Sequence, residues 1–337
     1  MVTVPELVAP GVLAEAIEWR ERRRRARRAS PGLPVTMALV TDGRYATTAT
    51  LLRDAGVEVV GLLAPEPLES LAWAAEAGIP RAYAELVALL SDKVECVCVE
   101  MEPPASDVIA RHASEAGMHV LLARPHTADP EAVRAVADVA EDADLAHVVA
   151  LDSRAWPAAS HAEASVPTLG VIRQVTLLGA PAGETGRAEV VDLAMRWSGD
   201  VVAVCADPAA MPADRLAPKA PVTLALLMSS GATVLVNELP GGELDTAVIT
   251  LAGSRARVVV AGRTVRRQDE DGVREWSLGG PSGPRPGLVE ATHDVLRATG
   301  VDDAGVVRGA TFHDLVTLSK VLGAAEASQA AGGWIEL

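Results

Sequence analysis

Apolar residues in this chain come in short unbroken runs, set apart by longer stretches in which they recur every three or four positions. The runs are Val35 to Val40, Val57 to Leu63, Val94 to Val99, Met118 to Leu122 and Leu145 to Leu151. They are rich in β-branched residues and too short for free-standing helices, which is how strands buried on both faces read. Between them the spacing predicts helices reaching Ala55, starting at Pro67, ending at Leu90, running to Ala116 and spanning Pro130 to Ala140. Strand and helix in alternation predict a parallel sheet covered on both faces. Beyond Gly170 the pattern changes. Val201 to Cys205, Pro221 to Met228, Ala232 to Leu239, Thr246 to Leu251 and Arg257 to Val260 read as strands, with turns at Gly231, Gly241-Gly242 and Gly253. These predict a second, predominantly antiparallel sheet. Two helices, Leu288 to Thr299 and Thr311 to Gln329, follow it.

The most informative unit is Val94 to Pro125. Pro103-Pro104 ends its first strand, and Ser106 and Asp107 are candidate N-caps for the helix that follows. Gly117 stands where a C-cap glycine belongs, before the strand Met118 to Leu122. In parallel sheets ligands bind beyond the carboxyl ends of the strands. Those ends carry Glu100-Met101-Glu102 and Ala123-Arg124-Pro125.

Composition narrows the function. The 337 residues are 49% hydrophobic and 22% charged, enough for two domains with ample core. A net charge of −15 excludes nucleic acid as the main partner, because neutralising phosphates needs a positive face. No apolar run approaches the roughly 18 residues of a membrane span, and the N-terminus lacks the apolar core of a signal peptide. Cys96, Cys98 and Cys205 lie in apolar runs and read as buried thiols in a cytoplasmic protein. The seven histidines show no metal-ligand spacing, so no metal is expected. Gly11 to Arg28 reads as a helix whose basic end, Arg22 to Arg28, complements its dipole and lies on an acidic body.

The layout resembles the glucose–fructose oxidoreductase / inositol dehydrogenase (Gfo/Idh/MocA) family. Gly117-Met118-His119-Val120-Leu121-Leu122 matches the family's approach to a Glu-Lys-Pro motif whose lysine is catalytic, and Ala123-Arg124-Pro125 stands in that motif's place. Asp152-Ser153-Arg154-Ala155-Trp156-Pro157 is similar to the family's Arg-aromatic-x-Pro junction between domains. The resemblance implies a Rossmann-like domain at 35–153 and an α+β domain with a large antiparallel sheet at 154–337, behind a helical extension at 1–34 particular to this chain.

It also implies positions for the chemistry, and the residues there depart from the pattern. The dinucleotide turn Gly-x-Gly-x-x-Gly becomes Thr41, Gly43 and Ala46, with Arg44 the neighbouring cation and Asp42 a negative charge where a pyrophosphate would lie. Ala64 ends the second strand where a ribose-binding acid is usual. Met101 and Glu102 take the place of a Thr-Pro-like pair. In the second domain the family's Asp-x-x-x-His-x-x-Asp helix, aligned on Asp192, puts Glu189 at the acid/base histidine and Thr185 at the earlier aspartate. The candidate catalytic residues are therefore Arg124, Glu189 and Asp192. Thr41, Gly43, Arg44, Ala46, Met101 and Glu102 are the candidate cofactor contacts, and Arg154 and Thr185 the candidate substrate contacts.

Arginine is a poor stand-in for a proton-donating lysine, since its pKa above about 12 keeps it charged. The expectation is a protein with eroded cofactor and catalytic motifs: a non-catalytic or auxiliary subunit, or a small-molecule-binding protein, holding NAD(P) weakly or not at all. It would form a homo-oligomer, or a hetero-oligomer with an active relative, through the C-terminal sheet, and its cleft suits a small polar ligand. The alternatives are an NAD(P)-dependent oxidoreductase acting on a sugar or cyclitol, and a cofactor-independent isomerase or lyase using the cleft carboxylates.

Overall fold

The computed structural model of the chain describes residues 10–29, 33–43, 45–102, 104–124, 129–208, 222–239, 241, 243–279, 285–299 and 309–337. They form two compact units. The first holds residues 1–124, 128–151 and 287–316, and the second holds 125–127, 152–286 and 317–337. Residues 287–316, which the sequence groups with the second domain, thus pack within the first unit.

The first unit is built on a seven-stranded sheet. Its strands are β1 (Thr36–Thr41), β2 (Glu58–Leu63), β3 (Arg81–Tyr83), β4 (Cys96–Glu100), β5 (His119–Leu122), β6 (His147–Val149) and a short β15 (Ala310–Thr311). The order is β15-β6-β5-β4-β1-β2-β3. All neighbours are parallel except β15, which pairs antiparallel with β6. This is the doubly wound arrangement, and the connection reverses direction between β1 and β4, where Thr41 and Glu100 are register partners. Helices α2 (Tyr45–Asp54), α3 (Pro67–Glu76), α4 (Leu86–Ser91), α5 (Ala105–Glu115) and α6 (Pro130–Asp142) follow successive strands. α9 (Pro286–Ala298) returns to this core, where Leu288, Ala291 and Val295 pack with Leu39, Leu52 and Leu121.

The strand ends differ from the sequence reading by a residue or two, and one cap differs in kind. Pro104, not Ser106, is the N-cap of α5, and Ser106 is buried inside the first turn. Gly117 follows the helix with φ 76°, the conformation expected just past a helix end. The N-terminal α1 (Pro10–Ala29) lies on the first unit through buried arginines. Arg20 donates to four carbonyls, those of Leu90, Asp92, Val94 and Ala116, at 2.6 to 2.8 Å. Burial, partly opposed by Asp92, lowers its pKa to about 10.

The second unit is built on a nine-stranded sheet, ordered β14-β13-β12-β11-β7-β10-β9-β8-β16. Its members are β7 (Ile172–Pro181), β8 (Val201–Pro208), β9 (Val222–Met228), β10 (Thr233–Leu239), β11 (Val248–Gly253), β12 (Arg257–Ala261), β13 (Thr264–Asp269), β14 (Gly272–Ser277) and β16 (Ile335–Glu336). Only β7 and β10 pair in parallel. The hairpin β13–β14 escapes the sequence pattern because it is an exposed, charged edge with few apolar positions, a composition that protects sheet edges from pairing. Helices α7 (Pro157–Ser165) and α8 (Glu184–Ser198) belong to this unit, and α10 (Phe312–Ala331) begins in the first unit and ends in the second. Among the described residues no helix is long and apolar enough to cross a membrane.

Candidate functional site

In the first unit the switch point between β1 and β4 is the place a ligand would approach. Thr41 closes β1 fully buried, and its Oγ1 accepts the Gly43 amide at 3.2 Å. That amide is one a pyrophosphate would need, and the threonine side chain already uses it. Asp42, Gly43 and Ala46 are exposed, and a Cβ on Gly43 would meet nothing within 4 Å, so the turn itself is open. Arg44 lies outside the described residues. Tyr45, at the start of α2, stacks on Trp73 of α3 with ring centroids 4.8 Å apart.

Across from Thr41 sits Glu100, whose carboxylate is wholly buried. Thr48 of α2 donates to its Oε2 at 2.6 Å, and Arg124 Nε and Nη2 donate to its Oε1 at 3.3 and 3.1 Å. Arg124 Nη1 also lies 3.6 Å from Glu102 Oε1. The residue in the lysine's place is thus the counter-ion of a buried glutamate, and only about a quarter of its side chain reaches solvent. The sequence places Glu100 at a ligand-facing strand end without giving it a role, and does not point to Thr48. The signal was there in Glu100 ending an all-buried run, since a carboxylate at that depth requires a partner. Met101 is half-buried and Glu102 exposed. At the end of β2, Ala64 is buried and its amide donates to Ser70 Oγ at 2.8 Å. Thr41 and Ala64 thus stand at the strand ends where a dinucleotide site usually carries a glycine and a ribose-binding acid.

In the second unit a 3₁₀ turn, Asp152–Ala155, meets α8. Glu189 Oε1 accepts the amide of Asp152, and Oε2 that of Ser153, both at 2.8 Å. Burial, with Asp152 adding like charge, raises the Glu189 pKa to about 8 against the pull of these two amides. Arg154 Nε lies 3.2 and 3.1 Å from the two oxygens of Asp192, and its Nη2 donates to Oδ1 at 2.6 Å. The i,i+4 pair of Asp192 with Arg196 is looser, at 3.9 Å, because Arg196 bonds Glu163. Thr185 is exposed in the first turn of α8. The connection from β7 to α8 is tight: a Cβ on Gly186 would stand 2.3 Å from the Pro181 carbonyl oxygen, so only glycine fits.

The structure thus joins Glu189 to the junction turn and Asp192 to Arg154 in one unit, and Arg124 to Glu100 in the other. Arg124→Ala should lower stability by about 1–3 kcal/mol, the worth of hydrogen bonds to a charged group, read as a shift in urea midpoint.

Residues 39–151 match the model of an oxidoreductase family with an NAD-binding Rossmann fold. No curated protein sequence matches the chain. Similar solved structures include an oxidoreductase from Agrobacterium radiobacter in complex with NAD+, L-tartaric acid and magnesium, at 16% identity and TM-score 0.74, covering 90% of this chain and 98% of that one. Another is an inositol dehydrogenase homolog from Azotobacter vinelandii complexed with NADH and myo-inositol, at 17% identity and TM-score 0.77, covering 91% and 98%. A biliverdin reductase from Synechocystis, in complex with biliverdin and NADP+, aligns at 16% identity and TM-score 0.70, covering 88% of this chain and all of that one. Residues 39–151 thus match the NAD-binding Rossmann domain of the Gfo/Idh/MocA oxidoreductase family, and the fold of the chain as a whole is that of these structures.

Proposed function

We propose that this chain is an auxiliary or small-ligand-binding member of its family that does not itself transfer hydride. One observation carries the reading: Arg124, Glu189 and Asp192 are each held in internal bonds at the positions where the family keeps its acid/base groups. Arg124 is engaged as the counter-ion of the buried Glu100. NAD(P) binding is accordingly weak. Two lost anchors worth about 1–3 kcal/mol each weaken a dinucleotide at least about tenfold.

A second reading, an NAD(P)-dependent oxidoreductase acting on a sugar or cyclitol, is favoured by the raised Glu189 pKa, which suits a general acid near neutrality. The NADH and myo-inositol of the Azotobacter structure indicate the cofactor and substrate class it would take. The same carboxylate also serves the third reading, an isomerase or lyase with no cofactor.

Titration with NADH and NADPH, followed by energy transfer from Trp73 and its fellow tryptophans, separates these. Our proposal expects no saturation in the micromolar range. Saturable micromolar binding, with turnover lost in Glu189→Gln, would establish the oxidoreductase instead.

The partner in this proposal is a second copy, or an active relative, docked on the second sheet. Leu178, Val248 and Leu235 are exposed on its central strands, and Leu178 and Val248 are register partners. A patch of this kind on a sheet face marks an interface. Sedimentation at micromolar concentration should show a dimer or larger assembly, and Leu178→Glu should dissociate it; a wild-type monomer would end this part of the proposal. The free, mainly buried cysteines suit a reducing cytoplasm.

A further inference from the structure

In the first unit three side chains distant in sequence meet beside the β6–β15 pair. Glu141 ends α6, His147 opens β6, and His313 lies in the first turn of α10. One ligand atom from each lies within 4.8 Å of the other two. His313 Nε2 is 2.7 Å from Glu141 Oε1 although the residues are 172 positions apart. The His147 and His313 rings meet edge-on with centroids 5.7 Å apart.

His147 gives the cluster its direction. Its Nδ1 lies 3.2 Å from the Leu145 carbonyl, a contact that places the proton on Nδ1 and leaves the Nε2 lone pair exposed to a ligand. That Nε2 is buried and makes no hydrogen bond among the described residues. A backbone carbonyl that fixes one nitrogen and leaves the other without a hydrogen bond is how a metal-binding imidazole is oriented. A polar atom buried without a partner otherwise costs about 1–3 kcal/mol. His313 and Glu141 are about half exposed, so they can close on an ion by rotating their own side chains.

We propose that Glu141, His147 and His313 form a divalent-cation site for a borderline metal of the zinc type. Two imidazoles and one carboxylate are a zinc donor set, and with three protein ligands the fourth position is left to water. Zinc bonds of about 2.0 Å put ligand atoms about 3.3 Å apart, so the 2.7 Å His313–Glu141 pair has to open a little while the longest separation in the cluster, at most 4.8 Å, shortens by up to about 1.5 Å. Oxygen-seeking magnesium and calcium do not suit a site with two nitrogen donors. The ion would tie the returning segment at 309–316 to the end of α6 and the start of β6. This site is separate from the switch point, and its fate is independent of whether NAD(P) binds.

The test is calorimetric titration of the chelator-treated full-length protein with Zn2+, with Co2+ as a spectroscopic probe of geometry. The expected result is one saturable Zn2+ per chain, a raised unfolding temperature and the intense visible bands of tetrahedral Co2+. His313→Ala and Glu141→Gln alter exposed side chains and should keep the circular dichroism of the parent. Each should weaken Zn2+ binding at least about tenfold. Failure of the parent to bind Zn2+, or equal affinity in the folded His313→Ala variant, would overturn the site and leave an ordinary surface pair beside a packed histidine.

Discussion

Arg27→Ala should destabilise the first unit by about 3–5 kcal/mol, the cost of leaving a buried charge without its partner. Arg27 is wholly buried, and its Nη2 donates to Glu95 Oε2 at 2.7 Å. Glu95 is itself buried, and the amide and hydroxyl of Thr36 at 3.1 and 3.3 Å are neutral donors. Those donors cannot replace a guanidinium, and Arg23 Nε, 3.8 Å from Glu95 Oε2, is too far for a hydrogen bond and offsets only part of the loss. The folded-to-unfolded ratio should fall more than a hundredfold, read from the urea transition of the first unit.

The neighbouring arginines supply the control. Arg22 and Arg25 pair with Glu18 and Glu21 one helical turn away, with side chains 57% and 76% exposed. Exposed pairs of this kind contribute about 0.5 kcal/mol or less, so Arg22→Ala and Arg25→Ala should leave the transition nearly in place. The double variant Arg27→Met with Glu95→Leu should recover much of what Arg27→Ala loses, because it removes both charges together. If the helix served instead as a contact for polyanions, the three arginine positions would respond alike in stability and differ only in binding. Equal, small losses at Arg27 and Arg22 would end the structural account of this helix.

How much of this was legible in the sequence follows from what each signal depends on. The strands of the first sheet were legible because they are buried on both faces and read as unbroken apolar runs, as at Cys96–Glu100. The helix Pro10–Ala29 was legible too, but the division of labour within its arginines was not. Arg20 and Arg27 are buried while Arg22 and Arg25 are exposed, and that follows from which helix face meets the sheet. β13 and β14 were missed because an exposed edge has no apolar run to reveal it. At the candidate site the positions of Arg124, Glu189 and Asp192 came from matching a pattern, whereas their partners came only from the fold. Glu100 and Arg124 are 24 residues apart, Asp192 and Arg154 are 38, and no periodicity links either pair. The Glu141–His147–His313 cluster is the extreme case. Metal-ligand spacing is a local signal, and these ligands meet across 172 residues of chain.

Glu189 ties stability to pH, and the direction is set by the sign of its shift. Its pKa is near 8 in the folded chain against an ordinary value of 4.5, so between those limits the folded state holds a proton that the unfolded state has released. Stability therefore falls as pH rises through this window, in full strength below about 4.5 and lost above about 8. A shift of this size corresponds to on the order of 5 kcal/mol. Glu189→Gln should remove this slope. It also sets an amide NH2 against one of the two backbone N–H groups, of Asp152 or Ser153, that the carboxylate accepts. The variant should therefore start about 1–3 kcal/mol below the parent in acid and meet or exceed it above pH 8. Urea unfolding of both proteins from pH 5 to pH 9 reads the difference, and the slope rather than the absolute value is diagnostic. Parallel curves for parent and variant would mean that Glu189 is ionised throughout. Its two amide bonds would then outweigh its burial, and the argument for it as a near-neutral acid in the oxidoreductase reading would fall with the shift.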